Sequence, residues 1–495
     1  MSSRLSHFAA LAMAMAVTAT TADAQDRQVT PITRTAVVMK GRAPVNENVL
    51  AVRLPRPKEG DLANGVHLIV LEDHRAPQVT FQFLIPGAGG YFDPPGAIGV
   101  AAVTAAMMRE GTTTRNANQI AEDLETISAS VSVTTSMASP DVNIAGVALT
   151  ETFENVFDLS TDILLHPSFD DEELAKYKTR TTTALNQNRS VSGFLAQERF
   201  QKVIYGDNAA GRLAMTPDQL HGVTSSAMLR FHRAKYVPDH AVIAIGGDIS
   251  YDRAKRLVES RLGRWKESGA PDVSPMDAPT MGPVKVWMVD RPNSVQTSVI
   301  VGTQAIDRTD PDFNVLEVMN QIIGGGPTGR LFVHLREEKG YTYGAFSGLS
   351  AGQYRGTWSA ATDVRSDVTE AALTDLLGEL VAIRDTTVSF RELQDRKRGL
   401  VATFALSLES PQQVLNYYVT RWIYKLPANY WDDYPRRIMS VSSAQVQAAA
   451  KKYLTPSRIQ IIAVGDRRKI DPILRKFGEL EVYDTEGKQI PHGVP

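Results

Sequence analysis

The sequence predicts an α+β fold built twice: two duplicated domains, each an antiparallel-rich sheet covered by helices. Three observations carry this. Lys235-Tyr236-Val237-Pro238-Asp239-His240 and the strand running to Gly247-Asp248 recur as Lys452-Tyr453-Leu454-Thr455-Pro456-Ser457 and a strand to Gly465-Asp466. The offset between copies hardly varies, being 217 positions from Tyr236 to Tyr453, 218 from Gly247 to Gly465 and 217 from Asp73 to Asp290, which marks an internal repeat. Alternating strands with short polar turns also stand among helical stretches, a pattern that suits helices layered on an antiparallel sheet better than a doubly wound parallel one.

In chain order, residues 1–24 read as an export signal. Arg4 precedes an apolar run from Phe8 to Val17, and Ala22-Asp23-Ala24 before Gln25 has the small-x-small form of a cleavage site. Residues 25–54, rich in Thr, Arg and Pro, form a lead-in arm. The first domain spans 55–265. In it Val66–Leu71 and the alternating Gln78–Ile85 are strands either side of Asp73-His74-Arg75, and Asn116 with Gln119 is a capping box for a helix to about Ile127. Ser130–Ser136 and Val142–Leu149 follow as strands, then helices near 151–165 and 170–190, then the strand Ala241–Gly247. A Pro-rich linker covers 266–284, the second domain 285–485, and a tail 486–495.

Composition excludes several function classes. A formal net charge of −2 over 495 residues gives no electrostatic case for nucleic acid or an anionic membrane surface. Zero cysteine rules out disulfides and thiolate ligands. With the export signal, this points to a periplasmic or otherwise exported protein with no membrane-spanning segment once the signal is removed. Gly324-Gly325-Gly326 lacks the Lys-Ser/Thr of a phosphate loop. The nine histidines include no pair at i, i+3 or i+4 spacing.

The most informative stretch is Gly90–Gly99 with the helix after it, Val100–Glu110, closed by Gly111-Thr112. Asp93 is placed to cap, Pro94-Pro95 fix the entry, and Gly111 ends the helix. On its face at i, i+3 and i+4, where reactive side chains would converge, stand Ala102, Ala105 and Ala106.

These flanks resemble the pitrilysin/insulinase family, the inverzincin-type zinc peptidases that include the processing peptidases, in which a glycine-containing loop leads into a helix bearing His-x-x-Glu-His and then Gly-Thr. His166-Pro167-Ser168-Phe169-Asp170-Asp171-Glu172-Glu173-Leu174, Gly325–Phe332 and Leu335–Tyr343 extend the resemblance over nearly the whole chain after the signal. It implies a clamshell of paired α/β halves closing on peptides. Residue by residue, its zinc histidines fall on Ala102 and Ala106, its water-activating glutamate on Ala105, and its third ligand near Thr183 or Ala184. No Asp or Glu stands between Leu174 and Gln197. Alanine has neither a metal donor nor a titratable group, so these positions are a vacated site on a chain that holds no metal.

What the resemblance leaves for chemistry is Arg336 and Tyr343. In the family the zinc-less half or partner supplies an arginine and, seven residues on, a tyrosine to the cleft, and these two residues keep that spacing. A guanidinium forks onto a carbonyl or carboxylate, and a phenol donates to a developing oxyanion. From pattern alone Arg336 is equally a solvated helix residue and Tyr343 a strand tyrosine; Tyr341, two residues earlier on the same expected sheet face, competes for the phenol's role. Gly324, Gly325 and Gly326 are either part of a peptide path or a helix-to-helix turn. The expectation is a non-catalytic subunit of a two-chain periplasmic metallopeptidase, binding peptide and supplying Arg336 and Tyr343 in trans to a zinc-bearing homologous partner in a heterodimer. The alternative is a non-enzymatic peptide-binding or assembly scaffold with the same fold.

Overall fold

A computed structural model describes residues 51–269, 281–282 and 284–491. The signal, most of the arm, and residues 270–280 of the linker lie outside the described residues, as do the final four.

Thirteen strands run in chain order: β1 Lys58–Asp61, β2 His67–Glu72, β3 Gln78–Pro86, β4 Ser130–Thr134, β5 Asp141–Leu149, β6 Val242–Gly247, β7 Val286–Asp290, β8 Gln296–Gln304, β9 Thr342–Leu349, β10 Thr357–Arg365, β11 Gln460–Gly465, β12 Leu480–Tyr483 and β13 Gln489–Ile490. They form two sheets, ordered β1-β2-β6-β3-β5-β4 and β13-β12-β7-β11-β8-β10-β9. Five strands of each repeat one topology, so that β2-β6-β3-β5-β4 matches β7-β11-β8-β10-β9. The duplication and the helix-covered sheets expected from sequence are therefore present. Two details differ from the sequence reading. The strands β2 and β3, joined by the short turn at 73–75, are not neighbours, because β6 enters between them, parallel to β2 and antiparallel to β3. Residues 489–490 of the expected tail pair with β12.

The first sheet turns Val79, Phe81, Phe83 and Ile85 toward a helical layer whose core includes Phe153, Phe157 and Met107. Phe81 and Phe157 meet edge to face at 6.0 Å. On the sheet's other face the two halves interlock. Helix Pro411–Ile423, from the second half of the chain, packs on β6, β2 and β3, while its counterpart Ser192–Tyr205, from the first half, packs on β11, β8 and β7. Each half thus covers the other's sheet. Gly302 of β8 is a glycine because a Cβ there would meet the Phe200 ring and the Trp358 carbonyl, each at 2.7 Å. Trp422 stacks on His67 at 5.5 Å, and the Tyr418 hydroxyl donates to the Pro55 carbonyl at 2.6 Å. The exchange makes the two halves one body sharing a core in which Ile69, Leu71 and Ala244 of the first sheet join Leu415, Tyr418 and Trp431.

Candidate functional site

The helix carrying Ala102, Ala105 and Ala106 is Val100–Met107, prolonged by a 3-10 turn Met108–Glu110. Its entry is built by Asp93. The carboxylate is only 7% exposed and accepts hydrogen bonds from the N–H groups of Gly99 (2.7 Å) and Ala101 (2.9 Å), satisfying donors at the helix start that lack intrahelical partners. Burial raises the Asp93 pKa, against the lowering effect of those two backbone donors. Gly99 adopts φ +94°, the left-handed conformation glycine takes without cost, and Gly111 ends the turn at φ +152°. Val100, Ala101, Val103, Met107 and Met108 bury the opposite flank.

On the face in question Ala105 is buried and Ala102 and Ala106 are half-buried. Three methyl groups hold no zinc and activate no water. The helix that would bring the third ligand, Asp171–Asn188, places Thr183 and Ala184 at an exposed surface, and Thr183 returns its hydroxyl to the Thr179 carbonyl at 3.1 Å. That helix is tied to the vacated one by an ion pair from Arg180 to Glu110. Among the described residues no group of three or more His, Asp or Glu side chains is placed to hold a metal. The described residues do not fit zinc.

Arg336 and Tyr343 lie in the second half. A short helix Arg330–Phe332 widens into a π-helical Val333–Glu338, and Gly340 at φ +65° stops it, with the Gly340 N–H donating to the Arg336 carbonyl at 3.1 Å. The Arg336 guanidinium is exposed, stands 4.7 Å over the Phe332 ring and reaches Glu337 at 3.6 Å. Tyr343 is 90% exposed on β9, the edge strand of the second sheet, and makes no hydrogen bond among the described residues. Phe346, further along β9, is partly exposed, and its ring lies 5.3 Å from that of Phe332. The two side chains thus stand on adjoining elements at one sheet edge without touching each other.

Tyr341 departs from the expected shared face. It precedes β9 and packs, half-buried, against the core. Register shifts between Thr362 and Val364 opposite this segment, while Thr342 and Gly344 bond to each other through the Thr342 hydroxyl (3.0 and 2.9 Å), so strict alternation fails at the strand's start. Gly324–Gly326 is a turn between helix Phe313–Ile323 and the helix carrying Arg336. A Cβ on Gly324 would meet the Ser347 nitrogen at 2.6 Å, and one on Gly325 would meet Gln321. Close packing accounts for these two glycines.

A duplicated α+β body with a capped, glycine-stopped helix and no metal-holding group among its described residues has the character of a pseudo-peptidase. The family profile for insulinase (peptidase family M16) matches residues 68–218, and the profile for the peptidase M16 inactive domain matches residues 222–400. Similar proteins include an uncharacterized zinc protease of Bacillus subtilis, 23% identical over 70% of this chain and 83% of its own length, and a non-peptidase homolog of Helicobacter pylori, 21% identical over 82% and 93%. A solved structure from Pseudomonas fluorescens, a peptidase M16 inactive domain, superposes with a TM-score of 0.77 at 24% identity, covering 83% of this chain and 98% of that one. A protease from Helicobacter pylori gives the same TM-score at 15% identity, covering 83% and 100%. The chain belongs to peptidase family M16, and among its described residues no side-chain group is placed to hold a metal.

Proposed function

We propose that this chain is the zinc-less subunit of a two-chain peptidase, exported to the periplasm, that binds peptides together with a zinc-bearing homologous subunit and lends Arg336 and Tyr343 to that partner's site. The observation that carries the reading is the exposure of Tyr343 with no partner inside its own chain. A tyrosine 90% exposed on an edge strand, with an exposed arginine on the helix that leads into that strand, is available to a second molecule rather than used for folding. In such a complex the phenol donates to the oxyanion forming at the scissile carbonyl, and the guanidinium orients the peptide. The export signal read from residues 1–24 supports the location.

The test mixes the purified chain with a zinc-bearing family member and follows peptide cleavage. Cleavage by the mixture that falls at least about tenfold with Tyr343→Phe and with Arg336→Ala supports the assignment, since loss of an oxyanion donor costs on the order of 100-fold. Undiminished cleavage by both variants removes the two roles. No cleavage by any mixture, with peptide still bound, favours the scaffold reading.

A further inference from the structure

The two exchanged helices cover equivalent faces of the two sheets, and the faces differ in chemistry. On the second sheet Ile300, Ile462 and Val464 are buried against Leu195, Phe200 and Ile204. The register gives the matching positions on the first sheet. Ile300 pairs with Ile462 and Ala361, and Gln82 pairs with Ala244 and Ala145 in the same way. Val464 pairs with Ser298 as Gly246 pairs with Thr80. Three apolar residues that fill one interface are thus replaced by Gln82, Ala244 and Gly246 in the other.

The smaller side chains leave a cavity of about 740 Å³ between the first sheet and the start of helix Pro411–Ile423. Thr80, Gln82, Ser132, Asn143, Gln412 and Asn416 line it. Gln82 is only 6% exposed, yet its Nε2 has no hydrogen-bond partner, and neither does Oδ1 of Asn143, one pleat along on the adjacent strand. A buried amide left unpaired costs roughly 1–3 kcal/mol, and the duplicate sheet shows that an aliphatic residue is accommodated at the position of Gln82. Charges stay at the mouth: Arg75 forks onto Asp73 at 2.8 and 2.6 Å, and Glu409 is exposed. No aromatic ring lines the cavity, so it offers no stacking platform for a nucleobase.

We propose that this cavity binds a neutral amide-bearing ligand whose C=O accepts from Gln82 Nε2 and whose N–H donates to Asn143 Oδ1. The unpaired groups are one donor and one acceptor, the complement of a –CO–NH– unit, and the wall around them is neutral: the Thr80 hydroxyl donates to Gln412 Oε1, Gln412 Nε2 to Asn416 Oδ1, and the Ser132 hydroxyl to the Ala145 carbonyl. Such a group occurs in an uncharged peptide and in an N-acetylated amino sugar.

Calorimetric titration of the full chain with N-acetylglycinamide and, separately, with N-acetylglucosamine tests it and separates the two sources. The expected result is saturable binding of one probe, weakened at least about tenfold in Gln82→Ile and in Asn143→Ser, which install the residues the second sheet carries at these positions, Ile300 and Ser359. The melting temperature of Gln82→Ile should be unchanged or higher, so that lost binding is not lost folding. Absence of saturable binding by both probes, or undiminished binding in Gln82→Ile, overturns the proposal.

Discussion

Helix Ser192–Tyr205 and helix Pro411–Ile423 hold equivalent places in the duplicated halves, yet one seals its sheet and the other roofs a cavity. Phe200 presses onto Gly302 and sits among Ile300, Ile462 and Val464. Leu415 approaches Gly246 across an ordinary van der Waals distance, with a built Cβ 3.7 Å from its Cδ2. The lesson is that duplication conserved the backbone frame, whereas side-chain volume and polarity decide whether an interface becomes core or site. The same division holds elsewhere in the chain: Asp93, Gly99 and Gly111 build the frame of helix Val100–Met107, while the side chains on its face are the methyl groups of Ala102, Ala105 and Ala106.

The largest expected effect is on the sealed interface. Phe200→Ala should cost about 3–5 kcal/mol in chemical unfolding, and Leu415→Ala, which removes a smaller side chain, about 2 kcal/mol. Equal losses would break the contrast. Next come the paired glycines. Gly302→Ala should destabilise by about 1–3 kcal/mol because the new methyl collides with the Phe200 ring and a carbonyl, while Gly246→Ala, with no atom nearer than 3.6 Å, should be neutral or slightly stabilising.

A third prediction concerns pH. Burial pushes the Asp141 and Glu317 carboxyls up to about 7. The folded state therefore holds protons that the unfolded chain has released between roughly pH 4 and 7, so stability is greatest at the acidic end of that window and falls as pH rises through it. Asp141→Asn and Glu317→Gln should each flatten the dependence of the melting temperature on pH between 5 and 8. The smallest effect is at the frame of the vacated helix, where Asp93→Ala should cost about 1 kcal/mol through the loss of its cap to Gly99 and Ala101.

Much of the frame was legible in the sequence. The constant offset gave the duplication, the Asn116-Gln119 box appears as read, with both reciprocal bonds formed, and the Ala102, Ala105 and Ala106 face followed from the loop and glycine stop around it. The helix exchange was not legible. An amphipathic pattern shows that Ser192–Tyr205 must bury a face but does not name the sheet it covers. Gln82 was hidden for a related reason: in an alternating strand its position reads as the solvent face, and only the helix arriving from the other half buries it. Tyr341 and Tyr343 were placed together by a period of two that the irregular pairing of β9 with β10 breaks.

Metal analysis of the purified full chain, coupled to peptide cleavage with and without chelator, tests the central claim most directly. The account predicts no stoichiometric zinc and no chelator-sensitive cleavage by this chain alone. Stoichiometric zinc together with cleavage that a chelator abolishes would contradict it, because the donors would then have to come from residues other than Ala102, Ala105 and Ala106.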